Sequence, residues 1–181
     1  LLEINDLKKY YGDRLILNIK DFKAYYGDRI GIVGANGAGK TTLLDIIAGR
    51  NMPEEGSIKL YGEISYITQL EPEAVSEVDN RMAKEFGLFF SSLDTASGGE
   101  KTRFKIAESL SESSSILLAD EPTSNLDIQG VELLERKLLS FKGLILIVSH
   151  DRELLDKLCN SIVEIEGGEV KQYSGSYSQY K

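Results

Sequence analysis

The chain has one cysteine, Cys159, so no disulfide can close within it, which suits a reducing compartment and a cytoplasmic location. No stretch approaches the ~20 successive apolar residues that cross a bilayer, so no transmembrane segment is expected. The opening residues Leu1-Leu2-Glu3-Ile4-Asn5-Asp6 lack the basic region and apolar run of a signal peptide. A starting Met is also missing, and the chain is expected to be trimmed from something longer. Basic charge is scarce, with 21 Lys and Arg against 29 Asp and Glu, a formal net charge of −8. That balance excludes a general electrostatic footprint for nucleic acid or an anionic membrane, and no direct DNA partner is expected. There is no internal repeat and no low-complexity tract. The 181 residues are enough for one domain with a real core and room for a small subdomain.

Hydrophobic patterning alternates between strands and helices. Short strands are expected at 3–7 and 15–22 around a polar turn at Gly12-Asp13-Arg14, and a buried strand at 29–33 with a helix over 40–49. Residues 53–56 read as a turn, followed by alternating strands at 57–60 and 64–67. Residues 71–95 are acidic, with weak helical character at 80–86. Residues 101–110 have helical spacing, with Phe104, Ala107 and Leu110 on one side. The apolar runs 116–119 and 144–148 have the composition of strands buried on both faces. Helices are expected at 128–140, carrying Val131, Leu134 and Leu138, and through Leu154, Leu155 and Leu158. A hairpin turns about Gly167-Gly168, between strands 161–165 and 169–172. The class is α/β, a mainly parallel sheet with helices on both faces and an antiparallel β edge.

The chemistry concentrates in two places. Gly34-Ala35-Asn36-Gly37-Ala38-Gly39-Lys40-Thr41 fits G-x-x-x-x-G-K-[ST], a loop that wraps backbone N–H groups around nucleotide phosphates. It lies between a strand and a helix, so it opens onto a helix N-terminus that favours anions. Lys40 would reach the β- and γ-phosphates, and Thr41 would place a hydroxyl on Mg²⁺. The run 116–119 then ends in Asp120-Glu121, which puts two carboxylates at the carboxyl edge of the sheet. Asp120 would hold Mg²⁺ directly or through water, and Glu121 is the natural general base for the attacking water. Ser97 and Glu100 fit an S-x-x-E capping box, with Gly98 and Gly99 leaving N–H groups open to a phosphate. Asp127 fits the N-cap of helix 128–140.

With these motifs in place, nearly the whole chain resembles the ATP-binding cassette (ABC) ATPases, a P-loop NTPase fold. Thr95-Ala96-Ser97-Gly98-Gly99-Glu100 is similar to their signature motif, with Ala96 where the family usually has Leu. The resemblance implies further roles. Gln69 matches the Q-loop glutamine that senses Mg²⁺ and the attacking water, and Ser124-Asn125-Leu126-Asp127 matches the D-loop. His150, the one histidine of the chain, matches the switch histidine on the γ-phosphate. Tyr11 matches the aromatic that stacks on adenine, with Tyr10 beside it as the alternative. The implied catalytic set is Glu121, His150, Gln69 and Lys40. The implied ATP-binding set is Tyr11, Gly34 to Thr41, Thr42, Ser97, Gly98, Gly99 and Asp127. Thr41, Gln69 and Asp120 are the implied metal ligands. The resemblance divides the chain into a RecA-like core (1–69 and 116–181) and a small helical signature subdomain (70–115).

In this family the signature of one cassette completes the phosphate site of another, so the chain is expected to pair with a second cassette. Gln69 and Ser97 are 28 positions apart (97 − 69), less than the helical subdomain of transporter cassettes usually needs. Glu100-Lys101-Thr102-Arg103 resembles the soluble ABC-F group, and 173–180 resembles its Y-x-G-N-Y-S-x-Y stretch with Ser176 in place of Asn. Members carry two cassettes on one chain and act on ribosomes as translation factors or in antibiotic protection. The short 70–95 segment resembles the protection members. The ribosome would be reached through regions outside this chain. The alternatives are an ATPase subunit of a membrane transporter and an ATP-gated clamp in which pairing matters more than turnover.

Overall fold

The computed structural model describes residues 1–68, 84, 103, 106–107, 110, 114–124 and 126–181. Nine strands and four helices are delimited within the described residues: β1 Leu2–Tyr11, β2 Arg14–Ala24, β3 Arg29–Val33, α1 Lys40–Ile47, β4 Glu55–Leu60, β5 Ile64–Ile67, β6 Ile116–Asp120, α2 Ile128–Ser140, β7 Leu144–Val148, α3 Arg152–Leu158, β8 Ser161–Glu166, β9 Glu169–Ser174 and α4 Tyr177–Tyr180. Of these, β3, β5, α2 and β7 have the bounds expected from sequence.

The strands form two sheets. One is antiparallel, in the order β2-β1-β4, and the other runs β5-β6-β7-β3-β8-β9. In the larger sheet β5, β6, β7, β3 and β8 run parallel, and β9 folds back antiparallel on β8 through the expected Gly167-Gly168 hairpin. The early antiparallel strands therefore do not extend the parallel sheet; they pair among themselves, and the antiparallel edge is β9. Glu55 and Gly56, expected in a turn, belong to β4. The Lys8–Glu55 pairing and its 2.9 Å ion pair draw them into the ladder. A register shift between Asn5 and Lys8, with Asp6 at φ 49, re-phases β1 so that Leu7 and Lys9 both turn inward.

The parallel sheet separates two apolar layers, because successive residues of a strand point to opposite faces. On one face Ile30, Ile32, Leu118 and Leu146 pack with Leu43, Leu44 and Ile47 of α1 and with Leu2, Ile4 and Leu17 of the antiparallel sheet. On the other face Leu117, Ile145, Ile147 and Ile162 meet Leu134 and Leu138 of α2 and Leu154, Leu155 and Leu158 of α3. Val131 is only half-buried, whereas Gly130, one position earlier, is buried against Leu126 and Asp127 at the start of α2. Ala107 is helical and buried in the second layer and Leu110 packs half-buried against it, as the spacing of 101–110 predicts; Ile106 is buried there as well, and Phe104 lies outside the described residues. The subdomain expected at 70–115 falls almost wholly outside them.

Candidate functional site

Four parallel strands deliver the site. The order β5-β6-β7-β3 and the pairings Ile67↔Ala119, Asp120↔Val148 and Ile32↔Val148 bring their carboxyl ends side by side. The loop after β3, the Asp120-Glu121 pair ending β6, and Ser149-His150 after β7 thus share one edge. That edge is where open α/β sheets bind ligands.

Residues 34–39 wrap around the start of α1. Gly34 has φ +149, and a Cβ there would sit 2.6 Å from the Ile165 carbonyl oxygen, so only glycine fits. Gly39 has φ +105 at the helix N-cap, and a Cβ there would press to 2.9 Å of Ile16. Helix geometry leaves the first-turn N–H groups of α1 without intrahelical acceptors. The Lys40 ammonium folds back over the loop and donates to the carbonyls of Gly34 (2.9 Å) and Ala35 (3.0 Å). The site therefore presents a cation and a helix N-terminus together, the arrangement that holds phosphate.

Asp120 is 3% exposed. Burial pushes its carboxyl above the usual range and nearby Asp45 adds to this, against a hydrogen bond with the Thr41 hydroxyl and the charge of Lys40. A threonine hydroxyl against a buried carboxylate is a hard-oxygen pair of the kind Mg²⁺ takes. Glu121 sits at φ +48, a left-handed conformation rare outside glycine. Its N–H donates to the Val148 carbonyl at 2.8 Å, and its Oε2 accepts the His150 backbone N–H at 3.2 Å. The His150 Nε2 lies 3.5 Å from Glu121 Oε1, and the imidazole side chain is 75% exposed. The imidazole thus stands exposed beside a carboxylate whose own side chain is only 14% exposed.

Tyr11, 53% exposed, lies beside the loop rather than in it, its hydroxyl 3.3 Å from Thr42 Oγ1. Tyr10 is half-buried, and its N–H donates to Glu54. The more open ring is Tyr11. Asp127 caps α2 by accepting the Gly130 N–H at 2.8 Å, and its other oxygen pairs with Arg103. Gln69, Ser97, Gly98 and Gly99 lie outside the described residues, although β5 ends at this same edge two positions before Gln69.

Some groups were not legible in the sequence. Asp45 accepts the Tyr66 hydroxyl at 3.0 Å, and Arg50 lies over the Tyr66 ring at 4.8 Å. Burial and the Asp45 and Asp120 charges push the Tyr66 hydroxyl well up. The available signal was spacing, since Asp45 follows Thr41 by one helical turn. The Lys9 ammonium lies over the Tyr11 ring across a register shift in the β1–β2 pairing between Lys9 and Tyr10.

The fold and this edge define a P-loop nucleotide-binding protein. The ABC transporter family model matches residues 17–124, more than half the chain. The erythromycin resistance ATP-binding protein MsrA of Staphylococcus epidermidis is 38% identical over 184 residues, covering 99% of this chain and 38% of that protein. The energy-dependent translational throttle protein EttA of Escherichia coli K12 is 32% identical over 210 residues, covering all of this chain and again 38% of the relative. The chain thus spans under half the length of these relatives. Among solved structures, the ATP-binding subunit of an ABC transporter superposes with a TM-score of 0.86 at 22% identity, covering 99% of this chain and 91% of that one. A dimeric ATP-binding cassette in a post-hydrolysis state with ADP and Pi gives 0.81 at 20% identity, covering 96% and 98%. The chain belongs to the ABC transporter family, whose cassettes bind and hydrolyse ATP. Among the described residues no helix is long and apolar enough to cross a membrane.

Proposed function

We propose that the chain is the MgATP-binding, ATP-hydrolysing cassette of a cytoplasmic, ABC-F type, ribosome-associated protein acting in translation or antibiotic resistance. The observation that carries the ATPase reading is the convergence of Lys40, Thr41, Asp120, Glu121 and His150 at one sheet edge. Similarity to a resistance protein and a translational throttle favours the ribosomal setting over a transporter subunit.

In this reading Gly34, Ala35, Asn36, Gly37, Ala38 and Gly39 offer backbone N–H groups to the phosphates, with Lys40 neutralising the β- and γ-groups. Tyr11 stacks on the base and Thr42 flanks the loop. Thr41 and Asp120, with Gln69, hold Mg²⁺, which when bound supplies positive charge to the phosphate oxygens. Glu121 takes the proton of the attacking water, while His150 donates to the γ-phosphate. Ser97, Gly98, Gly99 and Asp127 act across the interface on the ATP of a second cassette, on the same full-length chain or a second copy. The signature subdomain spans 70–115 and the core spans 1–69 and 116–181.

Glu121→Gln tests the reading. Turnover should fall on the order of 10²–10⁴-fold, the worth of a positioned base, while ATP still binds. The ATP-loaded variant should pair on gel filtration and, as part of the full-length protein, co-sediment with ribosomes. Turnover at the parent rate refutes the base. Pairing without ribosome binding, together with co-purification of a membrane protein, favours the transporter reading.

A further inference from the structure

The Tyr11 ring is held from two sides by groups outside the phosphate loop. On one side is Lys9, only 6% exposed despite its charge. Its ammonium donates to the Met52 carbonyl at 2.7 Å and to Glu54 Oε1 at 2.9 Å, and lies 5.6 Å from the Tyr11 ring centroid. Glu54 is itself fixed by the Tyr10 N–H on its Oε2 at 2.8 Å. At the ring's far end, Asn51 Nδ2 donates to the Tyr11 hydroxyl at 3.1 Å, beside the Thr42 hydroxyl at 3.3 Å. A buried cation thus backs the ring while an amide and a hydroxyl pin its tip, yet half of the residue stays open to solvent.

Neutralising Glu54 explains one of the Lys9 contacts. It does not explain why the ammonium also backs an exposed ring. A tyrosine ring free to turn about two side-chain bonds would lose that freedom on stacking; one already pinned loses less. A cation behind one face also draws electron density through the ring, so the opposite face suits an electron-rich purine.

We propose that Lys9 and Asn51 are positioning residues for the purine base, holding Tyr11 as a pre-set stacking platform that Thr42 ties to the phosphate loop. The inference rests on the nucleotide-binding reading above and deepens it. Lys9 and Asn51 act through Tyr11 alone, so their loss weakens recognition of the base and leaves recognition of the phosphates intact.

Calorimetric titration with MgATP and with Mg-tripolyphosphate, which has the phosphates and no base, separates these effects. Lys9→Met and Asn51→Ala should each weaken ATP binding roughly three- to tenfold, in the range of a stacking or cation–π contact. Tripolyphosphate affinity should stay within about twofold of the parent. Lys9→Arg should restore most of the ATP affinity, and Lys9→Met should add nothing to Tyr11→Ala. Equal losses for both ligands, full additivity with Tyr11→Ala, or unchanged ATP affinity in Asn51→Ala overturns the inference. Should Lys9→Met fail to fold because it strands Glu54, Asn51→Ala decides alone. A parent protein that binds neither ligand overturns the nucleotide-binding reading itself; one that binds both, with indifferent variants, overturns only the platform.

Discussion

Replacing Asp120 by Asn should stabilise the protein in the absence of nucleotide and metal, although it removes a metal ligand. The carboxylate is 3% exposed at the end of β6. Burial is the largest influence on it and disfavours the charged form, with Asp45 adding repulsion. The Thr41 hydroxyl and Lys40 offset this only in part. Asn keeps an oxygen to accept from Thr41 and carries no charge to desolvate. Single stabilising substitutions commonly yield roughly 0.5–2 kcal/mol, and a carboxylate this deeply desolvated places Asp120→Asn in the upper part of that range, about 1–2 kcal/mol. At about 2–4 °C per kcal/mol for a domain of this size, the melting temperature should rise by roughly 2–8 °C at pH 7.5 in EDTA. The sign with pH follows from the raised value. Folded Asp120 holds its proton more tightly than unfolded Asp120, so the wild type has its full share of stability below the ordinary carboxylate pKa. It loses that share as pH rises through the raised folded value. The amide of the Asp120→Asn variant has no such proton to lose, so the two melting curves should converge in acid and diverge toward neutral pH. A lower melting temperature for Asp120→Asn at pH 7.5, or a gain that grows in acid, would refute the reasoning.

Glu121→Gly should melt higher than Glu121→Ala by about 1 kcal/mol, because only glycine relieves the left-handed backbone; equal melting temperatures in differential scanning fluorimetry would show no strain there. Cys159 is buried, and its thiol is pushed up to about 12, so iodoacetamide at pH 8 should label it only after urea unfolding, as read by intact mass. Tyr180 donates to Glu164 at 2.6 Å and its hydroxyl is pushed up to about 12, chiefly by that bond. Its contribution is whole below pH 10 and lost as pH rises through 12. Tyr180→Phe should cost roughly 0.5–1.5 kcal/mol at pH 8 in chemical denaturation, and the gap should close in strong alkali.

The parallel sheet was legible because two of its central strands, β6 and β7, are uniform apolar runs. Leu144 to Val148 and Ile116 to Ala119 can be buried on both faces in no other simple way. The phosphate loop was legible because its glycines have to be there, as the 2.6 Å approach at Gly34 shows. Partner choice was hidden. The alternation of β1 and β2 says that each has a buried face but not which sheet covers it, so the separate antiparallel layer looked like an edge. The Asp6 bulge was hidden for the same reason, and with it the inward turn of Lys9, which a strict period of two would have sent outward. The place of Glu121 after an apolar strand marks it in the sequence; nothing there signals its left-handed backbone.

That backbone bears on how the proposed base is aimed. A residue in a sparsely populated conformation stays there only when its surroundings over-determine it. Here both anchors come from the neighbouring strand end: the Val148 carbonyl takes the Glu121 N–H, and the His150 N–H takes the Glu121 carboxylate. The carboxylate is therefore oriented by the backbone of the β7 terminus rather than by a side chain, and removing the imidazole leaves that amide in place. The base and the histidine are then separable in function although adjacent in space. Glu121 owes its aim to the register Asp120↔Val148, the last pair of the β6–β7 ladder, whereas the exposed His150 side chain is free to respond to whatever closes over it.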